Sequence, residues 1–278
     1  QAGPLAMAGH SKWANIKHRK GAADARRSKL FSKLAKYIMV AARQGGANPA
    51  ENLRLRYAID RARAESMPKD SIERAVKKGA GELQGGAELV ELTYEGIGPG
   101  GVSLIVEVLT DNRNRTGGEI RNILERRGGS LGKSNSVLWK FDHLGLIGVS
   151  KDDATEEEVF ETAIEAGADN IEDEGDHFLV QVPLESVEDV RQALSDLIRR
   201  KRGLGEERKW GEAEDDRPIF QQNELAYLPK VSVAVVEPDR VRQLLDLVNE
   251  LEEHEDVQHV YSDFDIAEDL LARVAAEQ

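Results

Sequence analysis

Along the first eighty residues the apolar positions keep to one face of a helix. Leu30, Phe31, Leu34, Ile38 and Ala42 recur at helical spacing, and Gly45-Gly46 stops the run. Asn48-Pro49-Ala50-Glu51 has the form of a helix start, with a capping asparagine, a proline at the first helical position and a reciprocal acid. Leu55, Ala58, Ile59 and Ala62 continue that second helix. Pro68 opens a third, which carries Ile72, Ala75 and Val76 and ends at Gly79. These segments predict a small three-helix bundle closing near Gly81-Glu82.

Beyond Gly85-Gly86 the period changes from helical to alternating. Leu89 to Tyr94 and Val102 to Leu109 read as strands joined through Gly96-Ile97-Gly98-Pro99-Gly100-Gly101. Thr116-Gly117-Gly118-Glu119 has the form of a capping box for a helix through Arg127, and Val137 to Phe141 reads as a strand. A second β-α-β unit follows, with strand Leu144 to Val149, a helix capped at Thr155-Glu156-Glu157-Glu158, and a short strand near Ile171. A third has strand Phe178 to Val182, a helix capped by Ser186 to about Arg200, and strand Ile219 to Leu228. The last runs from strand Val231 to Val236, through a helix from Pro238, to strand Val257 to Tyr261, and an acidic tail closes the chain. Four such units pair into two ferredoxin-like α/β sandwiches. Either neighbours pair, or the first and fourth enclose the middle two.

Composition adds a polarity that the pattern does not show. The 278 residues carry 38 basic and 51 acidic side chains, for a net charge of −13. The first 78 residues hold 18 basic and 6 acidic ones, which leaves 20 basic and 45 acidic for the remainder. The stretch from Ala8 to Lys36 holds Lys12, Lys17, Arg19, Lys20, Arg26, Arg27, Lys29, Lys33 and Lys36 against a single acid, Asp24, and Arg43 lies just beyond. A cationic head on an anionic body selects and orients a polyanion. Within it, Trp13, Asn15 and His18 mix an aromatic and hydrogen-bonding side chains with the cations, which suits phosphate contacts and base stacking. Trp13 suits a core anchor equally well.

Several chemistries find no support. With no cysteine there is no disulfide, thiolate metal site or cysteine nucleophile. No apolar run approaches the roughly 20 residues of a membrane span. Gln1 to Ala6 read as a leader foreign to the fold, with Met7 the natural start. The Gly96 to Gly101 cluster precedes a strand instead of a helix, so it is a turn and not a dinucleotide loop. His254 and His259 stand five apart, one more than the spacing that sets two imidazoles over one zinc ion. No catalytic, cofactor or metal residues are assigned. Asp111-Asn112-Arg113-Asn114-Arg115-Thr116, between a strand and a capped helix, reads either as a self-satisfied loop or as a second phosphate contact by Arg113 and Arg115.

Met7 to Lys20, together with Arg54-Leu55-Arg56, Met67-Pro68-Lys69-Asp70, Tyr94-Glu95-Gly96, Gly98 to Gly101, Leu109 to Thr116 and Val257 to Tyr261 with Phe264-Asp265, resembles the YebC/PmpR family. The resemblance implies an α+β protein of three domains. They are a helical domain over 7–83, a central α/β domain over 84–141 and 231–270, and a third over 142–230 inserted into the second. It also implies a non-enzymatic regulator of gene expression. Bacterial members are labelled DNA-binding transcriptional regulators, and the related mitochondrial translational activator of cytochrome oxidase acts on translation. Lys12, Lys17, Arg19, Lys20, Arg26 and Arg27 match the family's basic residues. The expected partner is therefore nucleic acid, either ribosomal or transfer RNA on the ribosome or DNA. No membrane and no small-molecule substrate are expected. The chain is expected to be a monomer, cytoplasmic in bacteria or in the mitochondrial matrix for an organellar member. Lys201 to Asp216 is longer and more charged than the family pattern suggests.

Overall fold

The structure is a computed structural model that describes residues 24–83, 89–204 and 217–276. Three helices come first: α1 (Asp24–Gly45), α2 (Leu53–Ala64) and α3 (Lys69–Gly79). Leu34, Ile38, Ala41, Leu55, Ile59, Ala62, Ile72 and Val76 form their buried faces. At Gly79 a Cβ would lie 2.3 Å from the Met39 carbonyl oxygen, so glycine is what lets α3 close against α1. The second helix starts later than the sequence suggested. Its cap is Asn52, and Asn48 only turns the chain, accepting from the Ala50 N–H. Asn52 wins because its buried amide serves two helices at once. Its oxygen accepts from Leu55 N, while its nitrogen donates to the Ala41 and Gly46 carbonyls at the end of α1, each at 2.8 Å.

The central sandwich contains β1 (Val90–Ile97), β2 (Ser103–Thr110), α4 (Arg113–Arg126) and β3 (Ser130–Leu131). Gly100 and Gly101 make the β1–β2 turn in left-handed backbone, with φ of 81° and 80°, and the strand β2 follows it, as expected of a turn. The second sandwich follows, with β4 (Phe141–Ser150), α5 (Glu156–Glu165), β5 (Asn170–Asp173), β6 (His177–Pro183), α6 (Val187–Lys201) and β7 (Gln222–Pro229). The chain then returns to the first through β8 (Val233–Ala234), α7 (Pro238–Glu253), β9 (Val257–Ser262), β10 (Phe264–Asp265) and α8 (Glu268–Ala276). The first sheet has the order β3-β1-β2-β9 and the second β5-β6-β4-β7, while β8 and β10 form a short parallel pair. Because β9 pairs with β2, the enclosing arrangement is the one found.

Of the described residues, 24–33, 89–142 and 227–276 form one compact unit, and 34–83, 143–204 and 217–226 form another. The core of the first unit lies between β2 and β9 and helices α4, α7 and α8, around Leu104, Val106, Leu124, Leu244, Val248 and Leu271. In the second, Tyr57 of α2 joins the core of the inserted sandwich with Val159, Val180, Leu194 and Ile198. Arg56 beside it pairs with Glu188 at 3.0 Å, and Glu188 also holds Arg191.

Four further expectations change. Val137 to Phe141 is not a strand: Leu138–Lys140 is a 3-10 turn leading into β4, and Ser130–Leu131 takes the place beside β1. The reason is Glu95, whose buried carboxylate accepts from the backbone N–H groups of Asn135, Val137 and Leu138 at 2.6, 2.8 and 2.9 Å. Those donors are therefore lost to any ladder. Helix α4 begins at Arg113 with Asn112 as its cap, so Thr116 is not a cap but an interior residue with a buried hydroxyl. Ser186 stands at the start of α6 but makes no side-chain cap, whereas the box at Thr155 and Glu158 is complete. Finally, the acidic tail folds as α8 and buries Leu270, Leu271 and Val274.

Asn52→Ala removes the α2 cap and orphans two carbonyls, so urea denaturation is expected to show a loss of about 2 kcal/mol. Burial alone would raise the Glu95 pKa, but the N–H groups of Val137, Leu138 and Asn135 outweigh it and hold the carboxyl below its usual range. Its contribution to stability is thus present above the unfolded-state pKa and is lost as pH falls through the lowered one. Glu95→Gln is expected to cost about 1–2 kcal/mol at neutral pH. That gap closes in acid, measured as denaturation midpoints across pH.

Candidate nucleic-acid interface

The basic stretch enters the described residues at α1. Lys12, Trp13, Asn15, Lys17, His18, Arg19 and Lys20 lie outside them. Arg26 is a residue of α1, and Arg27 and Lys29 on the same helix are exposed. Lys33 differs from its neighbours. It is half-buried, and its ammonium donates to the Glu252 carbonyl in the last turn of α7. That turn holds no basic residue of its own, so Lys33 supplies the cation that a helix C-terminus favours. Its charge is spent on this helix end, where the sequence suggested a phosphate contact. Arg56, from the family-like Arg54-Leu55-Arg56, is also used internally, donating to the Pro49 and Ala50 carbonyls besides Glu188. On α3 the exposed side carries Lys69, Arg74 and Lys77, opposite buried Ile72, Ala75 and Val76.

Arg113 and Arg115, expected on one anion, are put to different uses. Arg113 occupies the first turn of α4, exposed, with its carbonyl accepting from the Tyr94 hydroxyl at 3.3 Å. Arg115 donates to Asp256 at 2.9 Å and to Asp111 at 3.0 Å, with Glu119 at 3.9 Å. Hydrogen bonding to Asp256 raises its pKa and keeps the guanidinium charged. Asp256 is buried, and the Thr116 hydroxyl also donates to it at 2.8 Å. Behind Thr116 a relay runs from the Asn112 N–H through the Thr110 hydroxyl at 2.9 Å and on to Thr116 at 2.8 Å.

Glu119, His254 and Asp256 also bring three potential metal ligands together. Their lone pairs are engaged by hydrogen bonds. Asp256 N donates to His254 Nδ1 at 3.1 Å, which leaves the proton of a neutral ring on Nε2, facing Glu119 at 2.9 Å. Arg115 supplies positive charge where an ion would sit. His259 meanwhile stacks on Tyr261, with centroids 5.6 Å apart, so the two histidines face different partners. Asp256 was missed by sequence reasoning because its partners lie some 140 positions away, and nothing local marks it.

A family model described as the TACO1/YebC protein N-terminal domain matches residues 11–82. Another, described as the TACO1/YebC second and third domain, matches 89–202 and 212–264. The chain belongs to the TACO1/YebC family. A probable transcriptional regulatory protein of Syntrophobacter fumaroxidans is 45% identical over 270 residues, covering 97% of this chain and all of that protein. Another from Geobacter sulfurreducens is 46% identical over 261 residues, covering 94% of this chain and 97% of the relative. A crystal structure of a conserved hypothetical protein from Aquifex aeolicus superposes with a TM-score of 0.74 at 38% identity, covering 92% of this chain and 98% of that one. The interval between the two matched stretches of the TACO1/YebC second and third domain falls inside the charged segment Lys201 to Asp216. Among the described residues no helix is long and apolar enough to cross a membrane.

Arg113→Gln is expected to leave denaturation midpoints unchanged while weakening nucleic-acid binding and lowering the log-salt slope by about one. Arg115→Gln is expected to lower the denaturation midpoint, because it leaves the buried Asp256 carboxylate without its guanidinium partner.

Proposed function

We propose that this chain is a non-enzymatic regulator of gene expression that grips nucleic acid through its basic head. The contacts run from Lys12, Lys17, Arg19 and Lys20 through Arg26, Arg27 and Lys29, with Trp13, Asn15 and His18 among them and Arg113 as a separate contact. The observation that carries this reading is the segregation of charge, 18 basic against 6 acidic residues up to Lys78 and 20 against 45 thereafter. Lys33 and Arg115 hold the surrounding structure in place.

The target proposed is ribosomal or transfer RNA, so that the chain acts on translation at the ribosome, as a monomer in the cytoplasm or mitochondrial matrix. No cofactor takes part. A structured RNA is recognised by shape and backbone, which suits dispersed cations better than base-reading side chains. The alternative is a DNA-binding transcriptional regulator. The names of the relatives favour it, as does the exposed row Lys69, Arg74 and Lys77 on α3, which fits a helix lying in a major groove. Against it, three side chains are few for reading a DNA sequence from base edges.

Co-sedimentation with ribosomes, run beside binding to duplex DNA at physiological salt, separates the two. Ribosome association abolished by Lys17→Glu, Arg19→Glu and Lys20→Glu together is the expected result. Tight binding to one DNA sequence against excess competitor, with no ribosome association, would sink the RNA reading in favour of DNA.

A further inference from the structure

The turn that replaced the expected strand displays an aromatic ring. Trp139 is 67% exposed, although an indole is among the costliest side chains to leave in water. It is not a loose surface residue. Glu95 fixes the backbone on its N-terminal side through Asn135, Val137 and Leu138, Asn135 stands in left-handed backbone at φ 62°, and the indole Nε1 donates to the Ser136 carbonyl at 3.2 Å. The ring is therefore held out in advance of any contact, so little ordering entropy is left to lose on binding.

Two lysines lie close to it. Lys140 Nζ lies 5.9 Å from the ring centroid, and Lys230 Nζ donates to the Trp139 carbonyl at 3.1 Å. Lys133, on the same loop, is exposed with no ion pair among the described residues. The acids facing this group are Asp142, 3.3 Å from Lys230, and buried Asp263, 3.9 Å from Lys140, whose ammonium also donates to the Ser103 hydroxyl at 2.8 Å. An exposed flat ring with lysines close by is the combination that single-stranded nucleic acid requires, a base face to cover and phosphates to neutralise. Duplexes hide their base faces within the stack, and a protein partner would favour a groove over one raised ring.

We propose that Trp139 is a stacking platform for an unpaired base of single-stranded nucleic acid, with Lys133, Lys140 and Lys230 meeting the neighbouring phosphates. This rests on the reading of the chain as a nucleic-acid binder and adds a contact remote in sequence from the basic head.

The test uses the full chain labelled with 5-fluorotryptophan. Its three tryptophans give separate fluorine resonances, and Trp139→Phe assigns the relevant one. A short dye-labelled oligouridylate should shift the Trp139 resonance, and a duplex of the same length should not. Trp139→Ala should weaken oligouridylate binding about tenfold with the salt slope unchanged, since stacking releases no counterions, and Trp139→Tyr should restore most of it. A Trp139 resonance that stays in place while the dye reports bound RNA overturns the proposal and leaves the head reading intact. Reversal of Lys17, Arg19 and Lys20 that leaves both affinity and the Trp139 shift untouched would remove the head reading and keep this one. No binding by either strand or duplex would overturn both.

Discussion

Strand β2 cannot be satisfied by its sequence neighbours. One edge pairs with β1 across a tight turn, from Val90 opposite Thr110 to Ile97 opposite Ser103. The other edge waits for β9, which arrives only after the whole inserted sandwich has been made. A buried strand with a row of unpaired amides is untenable, so the late segment is compelled to return. This one pairing sets the discontinuous layout, brings α7 over the sheet, and delivers Asp256 to Arg115 and Thr116 at the mouth of α4. It also raises the contact order, since the β2–β9 pairing is gained only when the long loop closes.

Much of the architecture was legible because each element carried its own signal. The helical faces of α1 to α3, the glycine turn and the Thr155–Glu158 box depend on residues within a few positions of one another. The misreadings share a cause. Val137-Leu138-Trp139-Lys140-Phe141 has the composition of a strand, yet Glu95, forty positions upstream, takes the donors that a ladder needs. Asn48 and Asn52 are equal candidates as caps until the free carbonyls of α1 are placed beside one of them. The tail reads as acidic, although Leu270, Leu271 and Val274 keep one helical face.

The interface divides along the same line. Accumulated charge is a property of the string and is visible there, but the use of each charge is not. Lys33 and Arg115 look like their neighbours in sequence and differ only through a helix end and a buried carboxylate supplied from far along the chain. Basic residues of the same appearance thus include ones that hold the fold.

At the neck of the insertion the Lys230 amide donates to the Lys140 carbonyl at 2.9 Å, so the chain departs from and re-enters the central sandwich at neighbouring points. An excursion whose two ends already meet places almost no geometric demand on what lies between them. The enclosed sandwich can diverge in surface without disturbing the frame that hosts it. Selection can in this way retune one half of the molecule while the other keeps its register.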